Sequence, residues 1–267
     1  IQGNNDDAIN SAFDQAETAL NKAPPSNSDG GETILPPSSI EMALDEFPEA
    51  TLALISCPGE YAGAEAMKAL HLGLDVMIFS DNVSVEDEVA LKQLAQESDK
   101  LVMGPDCGTA ILNGVPLGFA NVVTPGDIGI VAASGTGLQQ VSCLVDQLGG
   151  GISQAIGTGG RDLNVKIGGL SMIKGIESLA NNKATKVITL VSKPPSPEIA
   201  KKVLAEAAIC GKPVVVNFIG SVTPSPSDTV YMADTLEQAA HMAIALSKGD
   251  KPSTASLPPV RCAYNVS

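Results

Sequence analysis

The chain has no tryptophan, only two histidines, and aromatic residues at 3% of its length. A core drawn from Gly, Ala, Val, Ile and Leu, without large rings, suits helices lying close on a parallel sheet. Cysteines stand at 57, 107, 143, 210 and 262, an odd count with no CxxC pair. That spacing excludes a disulfide framework and offers no cysteine metal site. Cys57, Cys143 and Cys210 sit in apolar or helical context and read as buried thiols of a reducing compartment, which places the protein in the cytoplasm. No apolar run reaches the ~18 residues of a membrane span. Basic residues are scarce: 16 Lys and Arg against 30 Asp and Glu, a formal net charge of −14. Nucleic acid and anionic membranes require a basic face, so both are excluded as partners. There is no signal peptide, and a start at Ile1 reads as a fragment or a processed piece.

What the chain does have is length and alternation. Its 267 residues allow two domains of ordinary size. Residues 1–50 read as an N-terminal helix (7–22), a Pro/Ser/Gly-rich mobile linker (23–37) and a short helix capped by Ser38 or Ser39. From Thr51 apolar strands alternate with amphipathic helices. Strands 51–56, 75–79 and 101–103 enclose helices 60–72 and 84–98, with Glu86, Asp87 and Glu88 complementing the dipole of the second. Residues 109–126 are irregular, with a hairpin expected around Asn113-Gly114. Thr124-Pro125-Gly126 reads as a domain boundary. Strands 127–133, 152–157, 186–192 and 213–219 then alternate with helices 136–148, 169–181, 196–209 and 234–247. Short apolar strands between helices predict parallel βαβ units with right-handed crossovers. Sites in such sheets lie at the carboxyl ends of the strands.

Those ends are rich in small and polar residues. The run from Gly129 to Gln140 reads as buried strand, small-residue turn and helix start. Such a turn leaves backbone N–H groups unpaired at a helix N-terminus, where partial positive charge favours an anion, phosphate above all. Ser134, Gly135, Thr136 and Gly137 form this turn, with hydroxyl donors on Ser134 and Thr136. Gly159 and Gly160 repeat the pattern. The glycines alone also serve a tight turn. Arg161 or Lys193 can supply positive charge to a phosphate or carboxylate, Arg161 with a bidentate fork. Arg161 reads equally as half of a local ion pair with Asp162, and Lys193 as a solvated residue before two prolines. Asn82 and Asn121 can hold an amide or carboxylate. Asp106 reads as a general base or an Asx-turn former, Cys107 as a nucleophile or a packed thiol. His241 lies on a helical face among alanines and reads as structural. No residue cluster predicts a metal.

The order Gly104-Pro105-Asp106-Cys107-Gly108, Gly129 to Thr136 and Ile156 to Gly160 resembles the α-subunit pattern of succinyl-CoA ligases and ATP-citrate lyases over residues 51–220. Within that superfamily, Phe79 to Val83, Phe119 to Val122, Gly159 to Leu163 and Val191 to Pro195 resemble the FdrA branch. The resemblance implies a Rossmann-like CoA-binding-type domain over 51–124, then a flavodoxin-like succinyl-CoA-ligase-type domain over 125–250. Residues 251–267 become a tail leading to a second half. It further implies a subunit of oxamate carbamoyltransferase, which splits oxalurate with phosphate to oxamate and carbamoyl phosphate in purine-ring (allantoin) catabolism. The ligases pass phosphate through a histidine in a Gly-His-Ala-Gly loop. Here residues 220–228 hold no histidine, and Lys193 stands where a supporting glutamate falls. Nothing before Thr51 resembles the ligases' glycine-rich CoA loop. Phosphate is therefore expected as a substrate held without a phosphohistidine, attacking a carbamoyl carbon directly, and CoA is not expected with it. The alternatives are a CoA-binding acyl-CoA synthetase and a non-catalytic assembly subunit. Loops open to one face imply partner subunits or a homo-oligomer.

Overall fold

A computed structural model describes residues 6–21, 36–220 and 225–253. Most of the expected linker at 23–37 and most of the tail at 251–267 lie outside the described residues. The chain divides into a unit of residues 1–38 and a unit of residues 39–267. Helix α1 (Asp6–Asn21) belongs to the first, and its Phe13 is exposed. Everything below concerns the second.

That unit begins with α2 (Ile40–Glu46), whose first turn is capped by Ser39 Oγ accepting from Met42 N–H at 3.2 Å. Two βα steps and a third strand follow: β1 (Leu52–Ile55), α3 (Gly59–His71), β2 (Asp75–Ile78), α4 (Val85–Glu97) and β3 (Val102–Met103). These strands form a parallel sheet in the order β1-β2-β3. A hairpin of β4 (Thr109–Leu112) and β5 (Val115–Gly118) turns on Asn113 and Gly114, both at positive φ. Then come β6 (Pro125–Ala133), α5 (Gly135–Gln147), β7 (Ile152–Gly157), α6 (Leu170–Asn181), β8 (Val187–Ser192), α7 (Pro197–Ile209), β9 (Val214–Phe218), β10 (Val230–Met232) and α8 (Leu236–Ser247). The second sheet runs β10-β9-β8-β6-β7-β4-β5 and is parallel except where β4 meets its neighbours.

The α/β class with parallel sheets holds as expected. Two features were not legible. The hairpin pairs with β7, so the change of sheet falls after Met103 and not at Thr124–Gly126. The three-residue β10 had no periodicity to reveal it.

The central strands of the large sheet, β6 to β9, are buried on both faces, which is why they read as largely apolar runs. Ile128, Ile130 and Ala132 of β6 pack in one core with Leu138, Val141, Ala239 and Ala243 of α5 and α8. Val131 and Ala133 pack in the other with Met172, Ile176, Val203 and Leu204 of α6 and α7. The second contact is close. A Cβ on Gly175 of α6 would stand 2.7 Å from Val131 Cγ1, and one on Gly129 would stand 2.8 Å from Leu179 Cδ1.

The two sheets share a core and a set of polar ties. Met77 and Met103 of the small sheet sit in the same cluster as Val131 and Ile156 of the large one. Ser171 Oγ at the start of α6 donates to Val102 O at 2.6 Å. Lys174 of α6 is ion-paired with Asp99 after α4. The turn after β3 adds another tie: Cys107 N–H donates to Ile78 O at 3.0 Å, and its thiol donates to Gly157 O at 3.3 Å. Burial pushes the Cys107 thiol from 9.0 up to about 11. Cys107 is therefore a packed thiol rather than a nucleophile. Asp106 sits at φ 57°, and its N–H donates to Ser80 O, as befits a turn former.

Two outcomes follow. Gly175→Ala should lower unfolding stability by about 1 kcal/mol, because overpacking at ~1–3 kcal/mol outweighs the ~1 kcal/mol that Ala gains in a helix; a rise in the urea midpoint would contradict this packing. Cys107 should resist iodoacetamide in the native protein at pH 8 and react once unfolded. Its raised pKa means the folded state holds the proton more tightly. Its contribution is therefore complete below the unfolded value and is lost, on the order of 2–3 kcal/mol, as pH climbs from 9.0 toward about 11. Urea titrations across that range measure it.

Candidate functional site

The neighbours of β6 create the site. The chain leaves β6 through α5 on one face and leaves β8 through α7 on the other, as the two separate cores show. β6 and β8 are adjacent, so a crevice opens between their carboxyl ends, the usual ligand position in such sheets. Ala133 lies beside Ser192, Ser192 beside Phe218, and Ala132 beside Gly157. Ser134, Thr158 and Lys193 thus begin their loops in one row.

The β6–α5 turn is built as an open helix start. Ser134 is the N-cap; its Oγ accepts from Gly137 N–H at 3.3 Å, and its carbonyl accepts from Leu138 N–H at 2.9 Å. Gly137 is buried, with room for no Cβ: Val191 Cγ1 would lie 2.8 Å away. Its amide is committed to the cap. Gly135 and Thr136 are exposed, and their N–H groups donate to no group among the described residues. A Cβ on Gly135 would meet only Thr109 Oγ1, at 3.6 Å. No acidic residue stands in this first turn to neutralise the helix field.

The neighbouring strand end repeats the design differently. Thr158 is buried and its N–H donates to Ala132 O at 2.9 Å. Gly159, at φ 84°, lies against Pro105 O, where a Cβ would stand at 2.4 Å. Gly160 and Arg161 are exposed, and their amides donate to no group among the described residues. Two pairs of unspent amides therefore sit at the ends of adjacent strands, about 4.8 Å apart in the pairing direction.

Arg161 and Asp162 are not paired with each other. Asp162 is fully buried; its Oδ1 accepts from Lys92 Nζ at 2.8 Å and Ser171 N–H at 3.2 Å, and its Oδ2 from Met172 N–H at 2.9 Å. Arg161 Nη2 donates to Val83 O at 2.9 Å and lies equally close to Glu88 Oε2 as an ion pair without hydrogen-bond alignment. Its side chain keeps 44% exposure. Glu88, expected as a dipole-complementing acid, is buried and ion-paired to Lys92 at 2.9 Å. Lys92, and its pairing with Glu88, went unnoticed in the sequence. Only their i, i+4 spacing signalled a pair, and nothing signalled its burial.

Asn82, at φ 55°, is exposed; its Nδ2 donates to Asp81 Oδ1 at 2.8 Å. The Arg161–Val83 bond brings Arg161 to the residue next to it. Lys193 is exposed beyond β8 and forms no ion pair among the described residues. Asn121 follows the hairpin. Gln139 of α5 holds that loop by donating to Phe119 O at 3.1 Å, and Asn121 Oδ1 is buried with no hydrogen-bond partner. Of the residues named from sequence, Ser134–Thr136 and Gly159–Arg161 follow adjacent strand ends, Lys193 follows the strand end beside Ala133, and Arg161 bonds the residue after Asn82. His241 is exposed on α8.

The open amides fit a phosphate group, free or esterified. A groove of about 470 Å³ beside β1, where the resemblance would put a CoA loop, is lined by Ile40, Leu44, Phe47, Leu52 and Leu54, and among the described residues its only charged wall is Glu65. That groove does not fit the phosphates of CoA.

A family model described as the CoA binding domain matches residues 123–220, the segment that carries β6 to β9. The Escherichia coli protein YahF, described as uncharacterised, is 53% identical over 211 residues, covering 79% of this chain and 41% of its own length. The alpha 2 subunit of ADP-forming succinate–CoA ligase from Archaeoglobus fulgidus is 28% identical over 194 residues, covering 70% of this chain and 64% of its own. ATP citrate lyase from Methanothrix soehngenii, solved with citrate and coenzyme A, superposes with a TM-score of 0.66 at 19% identity over 82% of this chain and 44% of that one. The chain thus spans less than two thirds of each of these relatives. In sequence it is similar to succinate–CoA ligase α-subunits, and it carries the α/β fold seen in ATP citrate lyase.

Proposed function

We propose that the chain is an FdrA-type subunit of an oxamate carbamoyltransferase, converting oxalurate and phosphate to oxamate and carbamoyl phosphate. The observation that carries this reading is the pair of open amide cradles at the ends of β6 and β7, which suits two anionic groups held side by side. Phosphate occupies the Gly135–Thr136 amides. The carboxylate of oxalurate occupies the Gly160–Arg161 turn and takes the Arg161 guanidinium, with Asn82 beside it. Lys193 and Asn121 border the reacting centre.

A phosphate oxygen attacks the carbamoyl carbon. The tetrahedral oxyanion collapses, the bond to the oxamate nitrogen breaks, and the proton carried by hydrogen phosphate ends on that nitrogen. Charge and atoms balance with no protein nucleophile, in keeping with the missing histidine. The protein's work is positioning and stabilisation of the oxyanion. Further subunits complete the site, since its loops open to one face.

The match to the CoA binding domain over 123–220 favours a second reading, an acyl-CoA synthetase subunit in which the Gly135–Thr136 amides hold a phosphate of CoA. Calorimetric titration separates the two. Saturable binding of phosphate and oxamate without CoA supports carbamoyl transfer; CoA binding displaced by phosphate overturns it in favour of the synthetase. Gly135→Val should fold, given the space at that Cβ, and weaken phosphate at least about tenfold, a loss of ~1.4 kcal/mol. Arg161→Ala should weaken oxamate about 10- to 100-fold, the scale of a charged hydrogen bond, and phosphate far less. Equal loss of both ligands would remove Arg161 from the carboxylate site.

A further inference from the structure

We infer that Lys92 and Glu88, on α4 of the small sheet, are positioning residues for the anion-binding turn Gly159–Arg161 of the large sheet. The inference rests on the reading of that turn as a carboxylate site. Lys92 is 2% exposed, and no ligand in the crevice can reach it. Its ammonium has three hydrogens, and all three are spent: on Glu88 Oε1 at 2.9 Å, Thr158 O at 3.0 Å and Asp162 Oδ1 at 2.8 Å. Two of these acceptors bracket the turn. Thr158 is the residue before Gly159, and Asp162 is the residue after Arg161. One buried ammonium therefore fixes both ends of the turn, and Glu88 and Val83 O fix the guanidinium between them.

The charges also show what the network is for. Lys92 and Arg161 balance Glu88 and Asp162, so the group adds no net charge to the crevice. Its effect on a ligand is geometric. Fold stability alone gives no reason for a buried ion network, since apolar packing of equal volume commonly does as well. Fixing the open amides of Gly160 and Arg161 before the ligand arrives does give one.

Two variants of the full chain, titrated with oxamate and separately with inorganic phosphate, test this. Glu88→Gln leaves Lys92 paired with Asp162 and makes the network net positive, which on electrostatics alone tightens anion binding. A positioning role predicts the reverse, oxamate weaker by about 3- to 10-fold with phosphate unchanged; unchanged or tighter oxamate overturns it. Lys92→Met combined with Asp162→Asn removes one charge of each sign and leaves Glu88 with Arg161. It should weaken oxamate at least about tenfold, and wild-type affinity in a folded double variant overturns the inference. Hydrogen exchange over residues 158–169 without ligand should quicken in both variants. If the wild type binds no oxamate but the turn loosens in this way, the carboxylate assignment fails and the positioning role stands. If exchange is unchanged, the positioning role fails whatever the ligand.

Discussion

The structure depends on one buried ammonium. Lys92 Nζ carries a full charge into the seam between two sheets, and a charge there is tolerated only when it is paired and every hydrogen has an acceptor. Glu88, Asp162 and the Thr158 carbonyl meet that demand, and they come from both sides of the seam. The requirement is stricter than apolar packing, which accepts many arrangements of similar volume. Three acceptors at 2.8 to 3.0 Å accept only one. α4 of the small sheet is thereby set against the β7–α6 loop of the large one, and Ser171–Val102 and Lys174–Asp99 follow in register.

With that seam fixed, the carboxyl ends of both sheets form one floor. The contacts run without a gap. Ser192 lies beside Ala133, Thr158 bonds Ala132, Gly159 touches Pro105, and Asp106 bonds Ser80. Two positions depend on glycine for this. Gly159 must accept a left-handed backbone and the approach of Pro105 O, and Gly137 must clear Val191. The other small residues of the same loops are not spent on packing. Gly135 and Gly160 have open space, and it is there that amides remain without acceptors. The division between glycines that pack and glycines that face the crevice cannot be drawn from the sequence, where Ser-Gly-Thr-Gly reads as a single motif.

The same distinction explains what was legible. The β6 to β9 alternation was readable because strands buried on both faces are mostly apolar, with only scattered polar residues such as Ser153, Thr189 and Asn217. The row of site loops was readable because topology places every βα turn of a parallel sheet at one end. Long-range pairing was not readable. Lys92 and Asp162 are 70 residues apart, and Arg161 and Val83 are 78. Adjacent opposite charges at Arg161 and Asp162 suggested a local pair, yet each turns to a different partner on α4. Glu88 looked like one more acid in a helix's first turn, beside Glu86 and Asp87, until burial separated it from them. The Asn113-Gly114 turn announced the hairpin, but turn chemistry says nothing about which sheet the hairpin joins.

The crevice gathers groups suited to an anion on a chain of net charge −14, and the two are compatible because of range. At physiological ionic strength a charge is screened over about 8 Å, so acids spread over the surface contribute little at the strand ends. What counts there is local: open amides at two loop starts, a helix field with no acid in its first turn, and the half-exposed guanidinium of Arg161. Backbone amides carry no titratable proton and need no buried counter-charge. They hold an anion without the desolvation cost that Lys92 requires three partners to offset. The deeply buried ammonium of Lys92 ties both ends of the Gly159–Arg161 turn, and the groups that turn leaves open to an anion are mostly neutral amides.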